Sequence, residues 1–177
     1  DKNHVVRILA YEMLGFCGSE KDFPVLLKAL QTDKEPEVRE AAGFAVYRLG
    51  GLKAAELLCD LYGDSDVPLV RRICCENLGK FKVLNEDHID ILIGALTDES
   101  PKVRVAAATA LGRLKIDLAV DKLAAMSKVD KDSRSRRAAA RALRRIGNDK
   151  ALEYLDKMRH NATDVDVKRE AARAFRQ

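Results

Sequence analysis

An arginine returns every 32 or 33 residues along this 177-residue chain. Arg7, Arg39, Arg71, Arg104 and Arg136 share one local setting, and Lys168 takes the sixth place. The neighbouring residues repeat with it: Val38-Arg39-Glu40-Ala41-Ala42, Val103-Arg104-Val105-Ala106-Ala107, Ser135-Arg136-Arg137-Ala138-Ala139 and Val167-Lys168-Arg169-Glu170-Ala171-Ala172. A fixed period of this length belongs to stacked units, each burying its apolar face only against its neighbours. The chain therefore reads as one extended repeat array over 1–177 rather than as a protein with a single central core.

Each unit reads as two helices. The arginine-bearing second helices are expected near 4–16, 36–49, 68–81, 101–114, 133–146 and 165–176. The first helices are expected near 20–32, 52–63, 86–97, 117–128 and 149–160. Apolar residues recur at helical spacing, as in Val103, Ala106, Ala107, Ala110, Leu111 and Leu114. Pro36, Pro68 and Pro101 fall in the first turn of a second helix, where a missing N–H is harmless. Gly50, Gly51 and Gly147 follow the last apolar residues as helix-ending punctuation. The extra residue between the third and fourth arginines is assigned to the turn Lys82–Glu86. The chain opens and closes on a second helix, which leads us to expect flanking repeats or another domain in a longer protein.

Composition narrows the class. There is no Trp, aromatic residues are scarce, and alanine is abundant, as helices that approach closely require. No run of 18 apolar residues exists, so no membrane span is expected. Cys17, Cys59, Cys74 and Cys75 form no ligand spacing and are expected to be buried free thiols of a cytoplasmic protein. The net charge of +4 conceals a polarity: residues 1–100 hold 12 Lys and Arg against 18 Asp and Glu, and residues 101–177 hold 20 against 10. Such polarity concerns partners more than fold.

Six residues before the recurrent arginine stands an aspartate: Asp1, Asp33, Asp98 and Asp130. Ser65 and Ala162 take that place in the third and sixth repeats. An aspartate at the turn and an arginine in the helix can pair within or between repeats, so Asp33, Arg39, Asp98, Arg104, Asp130 and Arg136 are expected to build a ladder that fixes register. With this motif, closest to the form D-x-x-x-x-V-R-x-x-A-A-x-A-L-G-x-L over Asp98–Leu114, the chain resembles the HEAT-repeat family, in particular its short, phycobilisome-lyase-like repeats. The resemblance covers the whole chain. It implies an all-α, right-handed α-solenoid of five to six helical hairpins, in which the second helices line the concave face. It is specific for fold and weak for function, because the family holds scaffolds, adaptors and a few enzymes.

Three columns of each second helix remain after core and ladder are subtracted. In the fifth repeat they hold Arg137, Arg141 and Arg144, and in the sixth Arg169, Arg173 and Arg176. The spacing i, i+4, i+7 puts each trio on one face. Arg134 and Arg145 extend the patch. The same columns hold Glu40, Phe44 and Tyr47 in the second repeat, and Val105, Thr109 and Gly112 in the fourth. Arginines without counter-charges repel one another, and their forks suit carboxylate or phosphate. Three readings follow: a face that is solvated or paired within the chain, a seat for an acidic segment of a partner protein, or a grip on a nucleic-acid backbone. Phe44 and Tyr47, with Tyr11 nearby, give either an apolar anchor spot or core contacts.

Signs of catalysis are scarce. His4, His88 and His160 are far apart, and no His-Glu pair of the kind that binds iron in the deoxyhypusine hydroxylases occurs. No Gly-rich phosphate loop, G-x-S-x-G or H-E-x-x-H is present. DNA-glycosylase chemistry on such a scaffold lacks an expected stacking Trp. The sequence thus points to a non-catalytic scaffold without cofactor or metal, with nucleic-acid binding and a bilin-lyase-like activity as alternatives.

Overall fold

The second helices begin where the chain supplies either a proline or a side-chain cap. In the computed structural model, which describes residues 1–175, Pro36, Pro68 and Pro101 open three of them. The others use carboxylates and an amide. Asp132 accepts from the Ser135 N–H at 2.9 Å, Asp164 from the Asp166 N–H at 2.9 Å, and Asn3 from the Val5 N–H at 2.9 Å. The described residues form α1 (His4–Cys17), α2 (Phe23–Thr32), α3 (Pro36–Leu49), α4 (Gly51–Asp64), α5 (Pro68–Leu78), α6 (Glu86–Gly94), α7 (Pro101–Leu114), α8 (Val120–Val129), α9 (Ser133–Ile146), α10 (Asp149–Asn161) and α11 (Val165–Ala172), with no strand among them. The expected boundaries shift at a few ends. The third second helix stops at Leu78, and the last continues only as a 3₁₀ turn, Arg173–Phe175.

Backbone sign explains the punctuation. Gly50 (φ 78°) and Gly147 (φ 67°) end α3 and α9 in conformations open to glycine. Gly51 belongs to the start of α4 instead. The end of α7 was not legible, because its left-handed cap is a lysine, Lys115 (φ 55°).

Two compact units result, Asp1–His88 and Ile89–Gln177. In the first, the second helices α1, α3 and α5 pack in sequence, with α2 against α3 and α4 against α5. Leu26, Leu30, Val38, Val46, Leu58 and Val70 are fully buried there. In the second, α7, α9 and α11 pack in sequence, with α8 against α9 and α10 against α11. Val103, Leu111, Leu123, Leu143 and Leu155 form its core. Each such leucine contributes about 2 kcal/mol by leaving water. Cys59, Cys74 and Cys75 are buried as expected, but Cys17 is exposed on the last turn of α1.

Glycines set the closest crossings. A Cβ on Gly112 would lie 2.6 Å from Ala142 Cα, and one on Gly15 would lie 3.0 Å from Ala45 Cα. Gly112 is therefore buried against α9, and its expected outward position is corrected. That column leans towards the following helix.

The recurrent arginine makes two kinds of bond. Along its own repeat it donates to the main-chain carbonyl six residues earlier: Arg7 to Asp1 at 2.7 Å, Arg71 to Ser65 at 3.0 Å, and Arg104 to Asp98 and Arg136 to Asp130 at 2.8 Å each. Arg39 does the same towards Asp33. Across repeats it grips a carboxylate with two nitrogens. Arg7 reaches Asp33 at 2.8 and 2.9 Å, and Arg104 reaches Asp130 at 2.6 and 2.7 Å. Arg136 holds Asp164 through Nε at 2.8 Å and through Nη2. Asp164, two residues beyond Ala162, supplies the carboxylate that the sixth repeat otherwise lacks. Those aspartates also fix the turn: Asp33 Oδ1 accepts from the Glu35 N–H at 3.0 Å and Asp130 Oδ1 from the Asp132 N–H at 2.9 Å. Where Arg39 would meet a carboxylate of the third repeat, Ser65 stands, its hydroxyl accepting from the Val67 N–H at 3.2 Å.

Two outcomes follow. Arg104→Ala leaves the Asp130 side chain, 8% exposed, without its fork, and should cost about 3 kcal/mol in denaturant unfolding, with Arg39→Ala costing clearly less. Equal losses would show that the carboxylate bonds are not what matters. Gly112→Ala should cost about 1–3 kcal/mol, because the new methyl meets backbone rather than a movable side chain.

Candidate anion-binding interface

Helix α9 is an alanine-rich spine flanked by arginine. Ala139, Ala140, Ala142 and Leu143 turn inward and leave Arg137, Arg141 and Arg144 along one side. Helix α11 packs beside it and brings Glu170 beneath them. The arginines do not stand apart as free charges. Arg141 Nη2 donates to Glu170 Oε1 at 3.0 Å, and Arg173 Nη1 donates to the same oxygen at 2.9 Å. Arg137 Nε lies 3.6 Å from Oε1, and Arg144 Nε lies 3.6 Å from Oε2. The expectation of uncompensated arginines is thus corrected: four of the six share one carboxylate.

The remaining members diverge. Arg169 is exposed and turns to Asp166 at 3.7 Å. Arg176 lies outside the described residues. Arg134 pairs with its own helix cap, Asp132, at 3.1 Å, and Arg145 is exposed.

Glu170 is 1% exposed, whereas the four arginine side chains are 34–51% exposed. Burial pushes the carboxyl towards the neutral form. The Arg141 bond and the fields of Arg141, Arg173 and Arg144 outweigh it, so the group is held below the usual glutamate range. Satisfaction is incomplete: Glu170 Oε2 and Arg144 Nε are both buried without a hydrogen-bond partner. One carboxylate against four guanidinium groups leaves three positive charges facing outward. Guanidinium forks of this kind suit carboxylate and phosphate oxygens.

Glu170 carried a signal that the sequence reading passed over. It shares a column with Leu9, Ala41, Ile73, Ala106 and Ala138, all apolar. A carboxylate in that column, one repeat after an arginine trio, marks a buried counter-charge.

Phe44 and Tyr47 come together at 5.8 Å between ring centres, half-buried, and Tyr47 stacks edge-on against Phe81 at 5.1 Å. Lys80 Nζ lies 4.6 Å above Phe44, and Arg48 covers Phe16 at 3.9 Å. Cations therefore cap the aromatic spot. Tyr11 is not part of this cluster and lines a groove with Arg7, Val25 and Asp33.

One histidine and two of the buried thiols are held in structural settings. His88 is buried in a reciprocal cap, its N–H donating to Asn85 Oδ1 at 3.0 Å. Burial pushes the Cys59 thiol up to about 12, with Asp60 adding to the effect, and raises Cys74 as well, so neither supplies a thiolate. Among the described residues no three His, Cys, Asp or Glu side chains are placed to hold a metal ion, and no helix is long and apolar enough to cross a membrane.

Because Glu170 is depressed in the folded state, its contribution is fully present above the ordinary glutamate value of about 4.3 and is lost as pH falls through the native value. The stability gap between wild type and Glu170→Gln should be constant from pH 7 to about 5 and close at lower pH in denaturant titrations. A gap that ignores acid would remove the carboxylate's electrostatic role.

The chain matches the model for HEAT repeats over residues 1–79, 55–134 and 89–176. No curated protein matches it. Among solved structures it resembles an engineered protein with 22% identity and a TM-score of 0.58, covering 99% of this chain and 91% of that one. It also resembles the complex of CpcE and CpcF of phycocyanin lyase from Nostoc sp. PCC7120, with 21% identity and a TM-score of 0.57 over 76% and 85% of the two chains. A computationally designed armadillo repeat protein for modular peptide recognition aligns with 17% identity and a TM-score of 0.52 over 96% and 92%. At these identities the likeness concerns fold: an all-α solenoid of helical-hairpin repeats. The chain belongs to the HEAT-repeat family.

Proposed function

We propose that this protein is a non-catalytic binding scaffold that captures an acidic segment of a partner protein on α9 and α11. The observation that carries the reading is the convergence of Arg137, Arg141, Arg144 and Arg173 on Glu170, which leaves positive charge in excess on half-exposed side chains. The design of an armadillo repeat protein for modular peptide recognition supports the idea that stacked helical hairpins can serve this way. The lyase alternative draws only on shared fold. The nucleic-acid alternative draws on charge alone, since aromatic rings for stacking bases are not interleaved with these arginines.

A fluorescently labelled Glu-rich peptide should bind wild type and lose about tenfold or more in affinity to Arg137→Gln/Arg173→Gln, whose substituted positions are 45% and 51% exposed and which leaves the Arg141 bond to Glu170 in place, with circular dichroism as the check that the fold survives. Undiminished binding by the double variant would move the binding surface elsewhere. Preference for duplex DNA over the peptide, with a steep salt dependence, would favour the backbone reading.

A further inference from the structure

The same cluster has a geometry more selective than a basic face. We propose that it takes a phosphoryl group carried on the captured segment, with Glu170 acting as the positioning residue; this rests on the acidic-segment reading. Arg137 and Arg144 are seven residues apart, about 10 Å along the helix, yet both forks bend to one carboxylate at 3.6 Å. An extended acidic run presents carboxylates about 7 Å apart on one side. Guanidinium groups spread along a helix would meet such a run one by one. Groups gathered at a point suit one compact anion with several charges and several oxygens.

Charge and donor count agree. A phosphoryl group brings a charge of about −1.5 to −2 and three acceptor oxygens, and so offsets more than half of the excess that four guanidinium groups retain after a single carboxylate. A ligand carboxylate adds one charge and two oxygens, repeating what Glu170 already gives. The 3.6 Å separations of Arg137 and Arg144, on side chains 45% and 34% exposed, leave guanidinium donors that Glu170 does not bind closely. Glu170 lies beneath the arginines rather than among their outward faces, at 1% exposure. Its charge holds the guanidinium groups together against mutual repulsion and leaves their outer N–H groups to the ligand.

The test uses four labelled peptides: one with a single phosphoserine among Gly and Ala residues, its unphosphorylated form, its form with Glu in place of phosphoserine, and an all-Glu peptide. The phosphoserine peptide should bind about tenfold or more tightly than the single-Glu form. That advantage should fade as pH falls through about 6, where the phosphoryl group gains a proton. In Glu170→Gln the advantage should collapse towards unity while binding of the all-Glu peptide persists or rises. Arg173→Gln, at a half-exposed position, provides a second variant that stays folded and should also lose the advantage. Equal binding of the phosphoserine and single-Glu peptides overturns the phosphoryl assignment and leaves the acidic-segment reading standing. Failure of every peptide, the all-Glu one included, overturns both. Displacement of the phosphopeptide by inorganic phosphate at equal concentration assigns the site to the free ion, and displacement by duplex DNA at equal phosphate assigns it to a nucleic-acid backbone; either overturns the proposal.

Discussion

The bidentate bond from an arginine of one repeat to an aspartate of the next is the constraint on which the stacking depends. Apolar columns bring the helices together, but burial of apolar area is not directional. A fork meeting a carboxylate tolerates little displacement. The same aspartate turns the chain by accepting from the main-chain N–H two residues on, and the same arginine holds the carbonyl at the head of its own turn. Turn geometry, helix start and inter-repeat register are thus one bonded system. Net stabilisation from such pairs is modest, because desolvation offsets much of the attraction. Their value lies in choosing one packing over its neighbours.

The variations in the ladder are instructive. Asp164 substitutes for the aspartate missing at Ala162 by serving as both helix cap and arginine partner. Ser65 keeps the turn bond but supplies no charge, so α3 and α5 depend more heavily on apolar packing. Arg72 adds a cross-link in that same region, reaching Glu40 at 2.5 Å and Glu76 at 2.6 Å.

Much of the architecture was legible because period, proline and aspartate each act locally. Pro36 and Pro101 marked helix starts to the residue, and the core valines and leucines fell where spacing put them. What escaped depended on neighbours distant in sequence. Gly112 looked like an outward position until α9 closed over it. The arginine face was legible in composition, but its arrangement was not, since reading one helix at a time shows three parallel side chains and not their common target. Glu170 was the residue that tied them, and it was visible only as an exception within an apolar column.

Every member of the arginine cluster and its central carboxylate falls between Arg137 and Arg173, on two successive second helices. In a repeat stack each unit contacts only its neighbours. Adding a hairpin upstream of α7 would leave the cluster's own residues in place, since all five lie on α9, α11 and the turn after it. A hairpin inserted between α9 and α11 could continue the ladder without fault and still dissolve the cluster, by separating the three arginines of one helix from the glutamate of the other. The ladder makes the units interchangeable, whereas Glu170 makes this one pair of units a fixed couple.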